Sequence, residues 1–367
     1  MKAGKTHLIY ENPLPQLKSR QALFPSLAEV KPGRLIASFA IGEAFESVDL
    51  STYISLSDDG GATWGAPHRV LDKTNDSVPT SDFGKLTVMP DGKIMLFGYA
   101  YLRPDPSLPM GNPETGGLLD DYIFYAISKD GGKTFSEPKK ADCAWGPHVE
   151  ASAPLTVLRD GTWISPITGF PDWSGKMTGK MCGRALRSTD SGKSWNDDAV
   201  CMDFGDRAVT CYEQRICELE SGKLVCIGWN EDVDEGVLLN NHYTVSTDGG
   251  KTWSEPRDTG VRGQASSVCA IGGDKLLALH SMRRHTDRPG ILARVIDASC
   301  GEWRVIDEEI VWEPATPLIK NDKMADIFAF LKFGQPSAIK LSSGEIMMIH
   351  WFMENGQYNV GVTKIDL

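Results

Sequence analysis

Short runs of apolar residues recur along the whole chain, each followed by a second run across a glycine-containing turn. Residues 86–89 and 94–99, for example, flank Pro90-Asp91-Gly92, a sequence typical of a tight turn. Runs of this length bounded by glycine turns predict β-strands joined as hairpins. A helical apolar period is limited to one short candidate at 322–330. The other predicted strand pairs are 26–30 with 34–40, 155–158 with 163–166, 216–219 with 224–228, 267–271 with 275–280, and 337–341 with 346–351.

An eight-residue motif follows most of these strand pairs. The first copy reads Ser57-Asp-Asp-Gly-Gly-Ala-Thr-Trp64. Its third residue, an aspartate, can accept hydrogen bonds from turn amides, its fifth, a glycine, permits positive φ, and its aromatic residue can pack beneath the turn. The motif therefore predicts a stapled hairpin. Further copies run from Ser128 to Phe135, from Ser188 to Trp195 and from Ser246 to Trp253, with a degenerate copy from Ile296 to Trp303.

Six strand pairs, five of them followed by a whole or degenerate motif, predict an all-β chain folded as a six-bladed β-propeller. Each blade is expected to be a four-stranded antiparallel sheet. The sixth unit lacks the motif and ends in a strand at 359–365. We expect the N-terminal strand at 6–10 to join this last blade and close the ring, because closure removes exposed sheet edges. The chain is thus predicted to be a single propeller domain spanning residues 1–367.

The motif copies, their spacing and the count of six units make the chain similar to the sialidase (neuraminidase) superfamily, whose propellers carry such Asp boxes, or BNR repeats. The resemblance covers essentially the whole chain. It implies that the Asp boxes are structural and lie on the face away from the substrate. Functional groups are then expected on the opposite rim, at the starts of inner strands and in the loops after second strands.

Two positions match residues that the family uses in its active site, and a third carries a related side chain. Glu213, in Tyr-Glu-Gln-Arg-Ile-Cys, matches the glutamate before the fourth-unit strand, and Arg288 matches the third arginine of the carboxylate-binding triad. Glu46 stands where the resemblance places the acid/base aspartate.

Three positions depart from the family pattern. Leu23 replaces the first arginine of the triad, with Arg20 three residues away, and Trp229 lies where the second arginine is expected. Gln335 is nearest to the position of the nucleophilic tyrosine. A substrate carboxylate would lose most of its bidentate clamp. These departures argue against an ordinary sialidase.

Carboxylates are the first candidates for chemistry, since glycoside hydrolysis commonly uses two with different pKa values. Glu46 and Asp49 lie in a loop that needs neither of them for a turn, and Glu213 heads a strand where a polar residue is costly unless it is used. Asp82 opens the second unit. The predicted catalytic residues are therefore Glu46, Asp49, Asp82 and Glu213.

Substrate contacts are predicted from arginines, aromatic residues and polar groups near the same rim. Guanidinium groups can hold an anionic or hydroxyl-rich sugar, and aromatic rings can stack on its face. The predicted substrate-binding residues are Arg20, Tyr101, His148, Glu150, Tyr212, Arg215, Trp229, His242, Gln264, Arg284, Arg288 and Gln335.

The composition of the chain limits the classes of partner and cofactor that it is expected to bind. The formal net charge of −11 disfavours nucleic acid and anionic membranes, which require a basic face. The chain has no nucleotide-binding loop and no Cys or His spacing typical of a metal site, so neither a cofactor nor a metal is predicted. The eight cysteines are scattered, and the N-terminus lacks an apolar signal region. We therefore expect a cytoplasmic protein.

The sequence thus predicts an exo-acting glycoside hydrolase that removes a terminal anionic or deoxy sugar, using paired carboxylates in the central funnel. The predicted partner is a carbohydrate. Three alternatives stay open: a sialidase with a rebuilt carboxylate clamp, a uronate-directed polysaccharide lyase with Tyr212 or His148 as the base, and a non-catalytic glycan-binding propeller.

Overall fold

The computed structural model describes residues 1–74, 76–315 and 331–367. In this part of the chain the secondary structure is all β, with no helix. Six antiparallel sheets form the blades of a propeller, as predicted. Most inner strands of successive blades contact one another, and the inner strand of the last blade contacts that of the first. The candidate helix at 322–330 lies outside the described residues.

The blades follow one another along the chain, and their strands run from the axis outwards. Blade 1 contains Gln21–Lys31, Arg34–Gly42, Ser51–Ser57 and His68–Arg69. Blade 2 contains Thr80–Val88, Ile94–Leu102, Asp121–Ser128 and Lys139–Lys140. Blade 3 contains the short inner strands Val149–Glu150 and Thr156–Val157, then Trp163–Gly169, Gly183–Ser188 and Asn196–Met202. Blade 4 contains Tyr212–Glu218, Leu224–Trp229, His242–Ser246 and Arg257–Asp258, and a small separate hairpin pairs Glu231–Asp232 with Val237–Leu238. Blade 5 contains Gln264–Gly272, Lys275–Met282, Gly290–Asp297 and Arg304–Trp312.

Blade 6 combines the two ends of the chain. Its strands are Phe333–Lys340, Ile346–Glu354 and Gln357–Asp366. Two N-terminal strands, Lys2–Ala3 and His7–Tyr10, pair antiparallel with the last of these. Ile9 and Tyr10 are buried among residues of blades 1 and 6. Hydrogen bonds between the first and last strands therefore hold the ring together where it starts and ends.

The Asp boxes form the hairpins that their chemistry predicts. In the first copy, Asp59 accepts the backbone N–H and the hydroxyl of Thr63 at 2.9 and 2.6 Å, and the Ser57 hydroxyl accepts the N–H of Gly61 at 2.9 Å. The hydrogen bonds from Thr63 lower the pKa of Asp59 to about 2. These turns join the third and outer strands, at the end of the blades opposite the loops that follow the second strands. The boxes therefore lie on the face away from the candidate site described below.

Several inner strands begin earlier than the apolar pattern predicts. The inner strand of blade 2 starts at Thr80 instead of residue 86, and that of blade 1 starts at Gln21 instead of residue 26. The added residues include polar ones, such as Asp82, that pair with the second strand and are buried. The pattern of apolar residues does not reveal such segments, because their buried polar groups form hydrogen bonds with neighbouring blades and not with water.

Candidate active site

Three inner strands carry a bulge near the rim, each with a non-glycine residue in the left-handed region. Phe24 in blade 1, Glu213 in blade 4 and Gln335 in blade 6 have φ values of 55°, 46° and 43°. The register of each strand shifts at the same place. Such backbone conformations are costly and are found most often at functional sites. The bulges therefore identify this end of the propeller axis as a candidate site.

Side chains from three non-adjacent blades meet at the axis. Gln335 of blade 6 donates its amide N–H to Oε1 of Glu213 in blade 4. Its amide oxygen accepts a hydrogen bond at 3.0 Å from Nζ of Lys85 in blade 2. Blades 2, 4 and 6 can touch one another only at the centre of the ring, so these contacts fix the position of the site.

Glu213 is also held by an aromatic wall. The indole N–H of Trp229 donates to its second oxygen at 2.8 Å. Tyr212 packs against Trp229 with ring centroids 4.7 Å apart and stacks on Phe170 at 5.1 Å. A flat ring surface beside a carboxylate is the arrangement that sugar rings commonly contact.

A second carboxylate lies against the backbone of Glu213. Glu150, from blade 3, accepts the Glu213 N–H at 3.1 Å through Oε2 and the Ser152 hydroxyl through Oε1. Burial, with a smaller contribution from the charge of Glu213, raises the pKa of Glu150 to about 7. The site thus contains one carboxyl group that retains its proton near neutral pH and a neighbour fixed by two N–H donors.

Two buried arginines face these carboxylates. Arg215 donates through Nη1 to the Ser152 hydroxyl at 3.1 Å and to the Gln214 carbonyl at 2.8 Å. Arg283 donates to Gln264 Oε1 at 3.0 Å and to the Phe333 carbonyl at 2.9 Å. Within the described residues, Nη2 of each guanidinium has no protein acceptor and is not fully enclosed. Both arginines can therefore donate to a ligand.

The approach of Arg283 to the axis depends on a glycine. A Cβ added to Gly334 would lie 2.6 Å from Nη1 of Arg283, closer than a non-bonded contact allows. We refer to Lys85, Glu150, Glu213, Arg215, Arg283 and Gln335 as the central site. Tyr212, Trp229 and Gln264 border it.

Glu46 occupies a separate cavity on the same rim. The cavity has a volume of about 560 Å³ and is lined by the loops after the second strands of blades 1 and 2. Arg103 joins these loops by donating to the Glu46 and Leu108 carbonyls at 3.0 and 2.6 Å. Burial raises the pKa of Glu46, and the charge of Arg103 opposes the shift. Phe45 lines this cavity and packs against Phe24, whose carbonyl accepts a hydrogen bond from Lys85.

The other two predicted catalytic carboxylates hold the scaffold together. Asp82 is buried, accepts the Thr52 N–H at 2.9 Å and forms an ion pair with Lys73. Asp49 is exposed and accepts the Glu43 N–H at 3.0 Å within its own loop. Neither carboxylate contacts the central site.

Six predicted substrate-binding residues make their polar or packing contacts outside the central site. Arg20 reaches the hydroxyl of Tyr53 at 3.5 Å, and Tyr101 is buried in an apolar cluster. His148 pairs with Asp120, His242 with Asn240 and Asn230, and Arg284 with Glu231 at 3.8 Å. Arg288 is exposed and forms an ion pair with Glu313 at 2.8 Å. Gln264 borders the site but acts through Arg283.

Two residues of the central site escaped prediction from the sequence. Lys85 interrupts an inner strand between Gly84 and Leu86, and a buried lysine in such a strand is itself a signal. Arg283 directly precedes Arg284 in the chain, but the sequence favoured Arg284 and the nearby Arg288. Within the described residues no group of three His, Cys, Asp or Glu side chains is arranged to hold a metal ion. The search for an apolar helix long enough to cross a membrane found none in the same residues.

Comparisons with known proteins agree with this fold. A family model described as a BNR repeat-like domain matches residues 33–307. No curated protein matches the chain. A solved structure of a protein of unknown function from Dyadobacter fermentans superposes with a TM-score of 0.75 at 19% identity, covering 100% of this chain and 99% of that one.

Two solved sialidases are similar in structure. A mutant of NanB sialidase from Streptococcus pneumoniae gives a TM-score of 0.65 at 13% identity, covering 99% of this chain and 70% of that one. Trypanosoma rangeli sialidase in complex with the inhibitor DANA gives 0.62 at 16% identity, covering 94% of this chain and 55% of the sialidase. These identities are low, so the likeness shows the fold and not the reaction.

Proposed function

We propose that this chain, which belongs to the BNR repeat-like domain family, is a glycoside hydrolase that releases a terminal sugar bearing a carboxylate. The observation that carries the proposal is the meeting of Glu150 and Glu213 at the axis beside two arginines whose Nη2 groups have no acceptor among the described residues. The sialidase-like fold supports the reaction class.

The two carboxyl groups suit different steps of hydrolysis. Glu150 retains a proton up to about pH 7, so it can protonate the glycosidic oxygen as the bond to the anomeric carbon breaks. Glu213, held by Gln335 and Trp229, supplies the second carboxylate at the anomeric carbon. Water adds its hydroxide to that carbon, and its proton restores the acid form of the donor.

Arg215 and Arg283 supply the specificity for an anionic sugar. Guanidinium groups bind carboxylates through parallel N–H donors, and within the described residues Nη2 of both arginines has no protein acceptor. Tyr212 and Trp229 offer a ring surface next to these donors. The anchoring role that the sequence gave to Arg288 therefore passes to Arg215 and Arg283.

Hydrolysis of a panel of aryl glycosides tests the proposal. The panel contains sialosides, glucuronides and galacturonides, with neutral glucosides and galactosides for comparison. We expect turnover of at least one acidic glycoside and a fall in kcat of about a hundredfold or more in Glu150→Gln and Glu213→Gln. Asp206→Asn, which neutralises an exposed carboxylate on the same rim, serves as the control and should retain wild-type rates. Wild-type rates in both glutamate variants would contradict the proposal.

Glu46 is the second candidate for the proton donor, because burial raises its pKa in the neighbouring cavity. A proton donor matters most for substrates with poor leaving groups. We expect Glu150→Gln to lose more activity on a disaccharide than on an activated aryl glycoside, and Glu46→Gln to lose activity equally on both. The reverse pattern would move the donor role to Glu46.

A further inference from the structure

A chain of hydrogen bonds crosses the axis from Lys85 through Gln335 to Glu213. Lys85 is buried, and its three N–H groups go to Gln335 Oε1 at 3.0 Å, the Phe24 carbonyl at 2.8 Å and the Pro25 carbonyl at 3.2 Å. Gln335 extends the series of hydrogen bonds by donating its side-chain amide N–H to Glu213. A buried ammonium is costly, so its retention here requires an explanation.

Lys85 determines which way the Gln335 amide points. An ammonium group only donates hydrogen bonds and an ionised carboxylate only accepts them. The amide can satisfy both neighbours only with its oxygen towards Lys85 and its nitrogen towards Glu213. Without Lys85, the amide would be free to turn its oxygen towards Glu213. The carboxylate of Glu213 would then repel that oxygen.

The backbone conformation around this chain of hydrogen bonds holds its three side chains in position. Gln335 and Glu213 both have positive φ at bulges, and Lys85 also bonds to the carbonyls that flank the third bulge, at Phe24 and Pro25. One ammonium group therefore joins the bulged segments of blades 1 and 6. Burial, and after it the charge of Arg215, lower the pKa of Lys85 well below its ordinary value, and the charges of Glu213 and Glu150 oppose this shift. The three oxygen acceptors around Nζ require three N–H donors, which only the ammonium form supplies.

We propose that Lys85 is a positioning residue for hydrolysis, acting through Gln335 to orient Glu213. The inference rests on the proposed function. Because Lys85 acts on Glu213 and leaves Arg215 and Arg283 in place, its loss should lower kcat and leave KM nearly unchanged.

A double-mutant cycle on the full chain tests the inference. Lys85→Met and Gln335→Met are each expected to lower kcat at least tenfold on the best acidic glycoside of the panel, with KM within about threefold of wild type. The double variant should be no slower than the slower single variant, because both changes break the same chain. Lys73→Met, which removes a different lysine bonded to Leu50 and Thr80 carbonyls, is the control for loss of packing and should retain kcat.

A second variant covers the case in which Lys85→Met does not fold. Gln335→Glu keeps a partner for Lys85 but puts a like charge against Glu213, so kcat should again fall at least tenfold in a folded protein. Effects on kcat that multiply in the double variant, or an unchanged kcat in Gln335→Glu, would overturn the inference while leaving the proposed function intact. A wild-type protein inactive on every glycoside would overturn both.

Discussion

At the scale of single residues, the two central glutamates differ because their surroundings differ. Glu150 is buried with a hydroxyl and one N–H as partners, and its pKa rises to about 7. Glu213 is less buried and receives N–H groups from two side chains. The site therefore combines a carboxyl group that keeps its proton near neutral pH with a second one held by two N–H donors, an arrangement that suits acid-assisted hydrolysis.

The pH dependence of hydrolysis follows from Glu150. The proton donor is active when protonated, so kcat/KM should fall as the pH rises through about 7. We expect this limb of the profile to disappear in Glu150→Gln, together with most of the activity. An unchanged basic limb in Glu150→Gln, measured on an activated aryl glycoside, would assign the limb to another group.

The same group affects stability in a defined direction. The folded-state pKa of Glu150 lies above its unfolded value of about 4.3, so its contribution is complete below about pH 4 and is lost as the pH rises through about 7. Urea unfolding between these limits should show the free energy of unfolding of wild type falling with pH relative to Glu150→Gln. Parallel curves for the two proteins would show that Glu150 titrates normally.

Arg215 should control the choice between acidic and neutral sugars. Arg215→Gln removes a guanidinium whose Nη2 has no acceptor among the described residues, and we expect KM for an acidic aryl glycoside to rise roughly tenfold to a hundredfold. A reduced or neutral analogue of the same sugar should show little change. An equal rise in KM for both sugars would indicate that Arg215 only supports Glu150 and Ser152.

Only some residues of the central site could be predicted from the sequence. Glu213 was predicted from its place at the head of a strand and Gln335 from the resemblance, and Glu150 and Arg215 were among the predicted substrate contacts near the rim. Arg288 was predicted from the resemblance and Asp82 from its place at the start of the second unit, yet Arg288 is paired at the surface and Asp82 anchors a loop. The positions of the bulges determine which side chains face the axis, and the residue pattern does not reveal these positions.

At the scale of elements, the Asp-box hairpin was the most predictable feature, because all its interactions are local. In the second copy, the buried Ser128 hydroxyl accepts the Gly132 N–H at 2.9 Å and donates to Asp130 at 2.9 Å. The inner strand of blade 3 was less predictable, because it consists of two short pieces held by the next strand. Local chemistry is readable from sequence, whereas pairing that depends on distant strands is not.

Loss of a box serine should destabilise the protein without changing its catalysis. Ser128→Ala leaves a buried N–H unsatisfied, and we expect the free energy of unfolding to fall by about 1–3 kcal/mol. Ser299→Ala in the degenerate fifth copy, where the hydroxyl is exposed and bonds only locally, should cost much less. Urea unfolding measures both, and equal losses would contradict the role given to the box.

The boxes also predict sensitivity to acid. The pKa values of Asp59, Asp190 and Asp248 are lowered to about 2 by hydrogen bonds within the turns. A lowered folded-state pKa contributes stability above the unfolded value of about 3.9, and this contribution is lost as the pH falls towards 2. Thermal unfolding temperatures should therefore drop between about pH 4 and pH 2.

At the scale of the whole molecule, the ring brings distant parts of the chain to one point. Lys85 and Gln335 are 250 residues apart, and Glu213 and Gln335 are 122 apart. Contacts of this kind require the ring to be closed at blade 6, where His7–Tyr10 pairs with Gln357–Asp366. The repeat count indicated the ring, but the partners across its axis follow only from the folded geometry.

Ring closure can be tested with a matched pair of substitutions in the first strands. Ile9 is buried between blades 1 and 6, and its neighbour Leu8 is 43% exposed. Ile9→Ala should lower the free energy of unfolding by about 2–5 kcal/mol, and Leu8→Ala by well under that. Similar small losses in both variants would show that the N-terminal strand contributes little to closure.

The most direct test of the central claim is a crystal structure of Glu213→Gln soaked with the acidic aryl glycoside that wild type hydrolyses fastest. The account predicts the sugar carboxylate within hydrogen-bond distance of Arg215 and Arg283, with the glycosidic oxygen facing Glu150. A sugar bound only in the Glu46 cavity or on the outer surface, with the central site free of ligand, would contradict it.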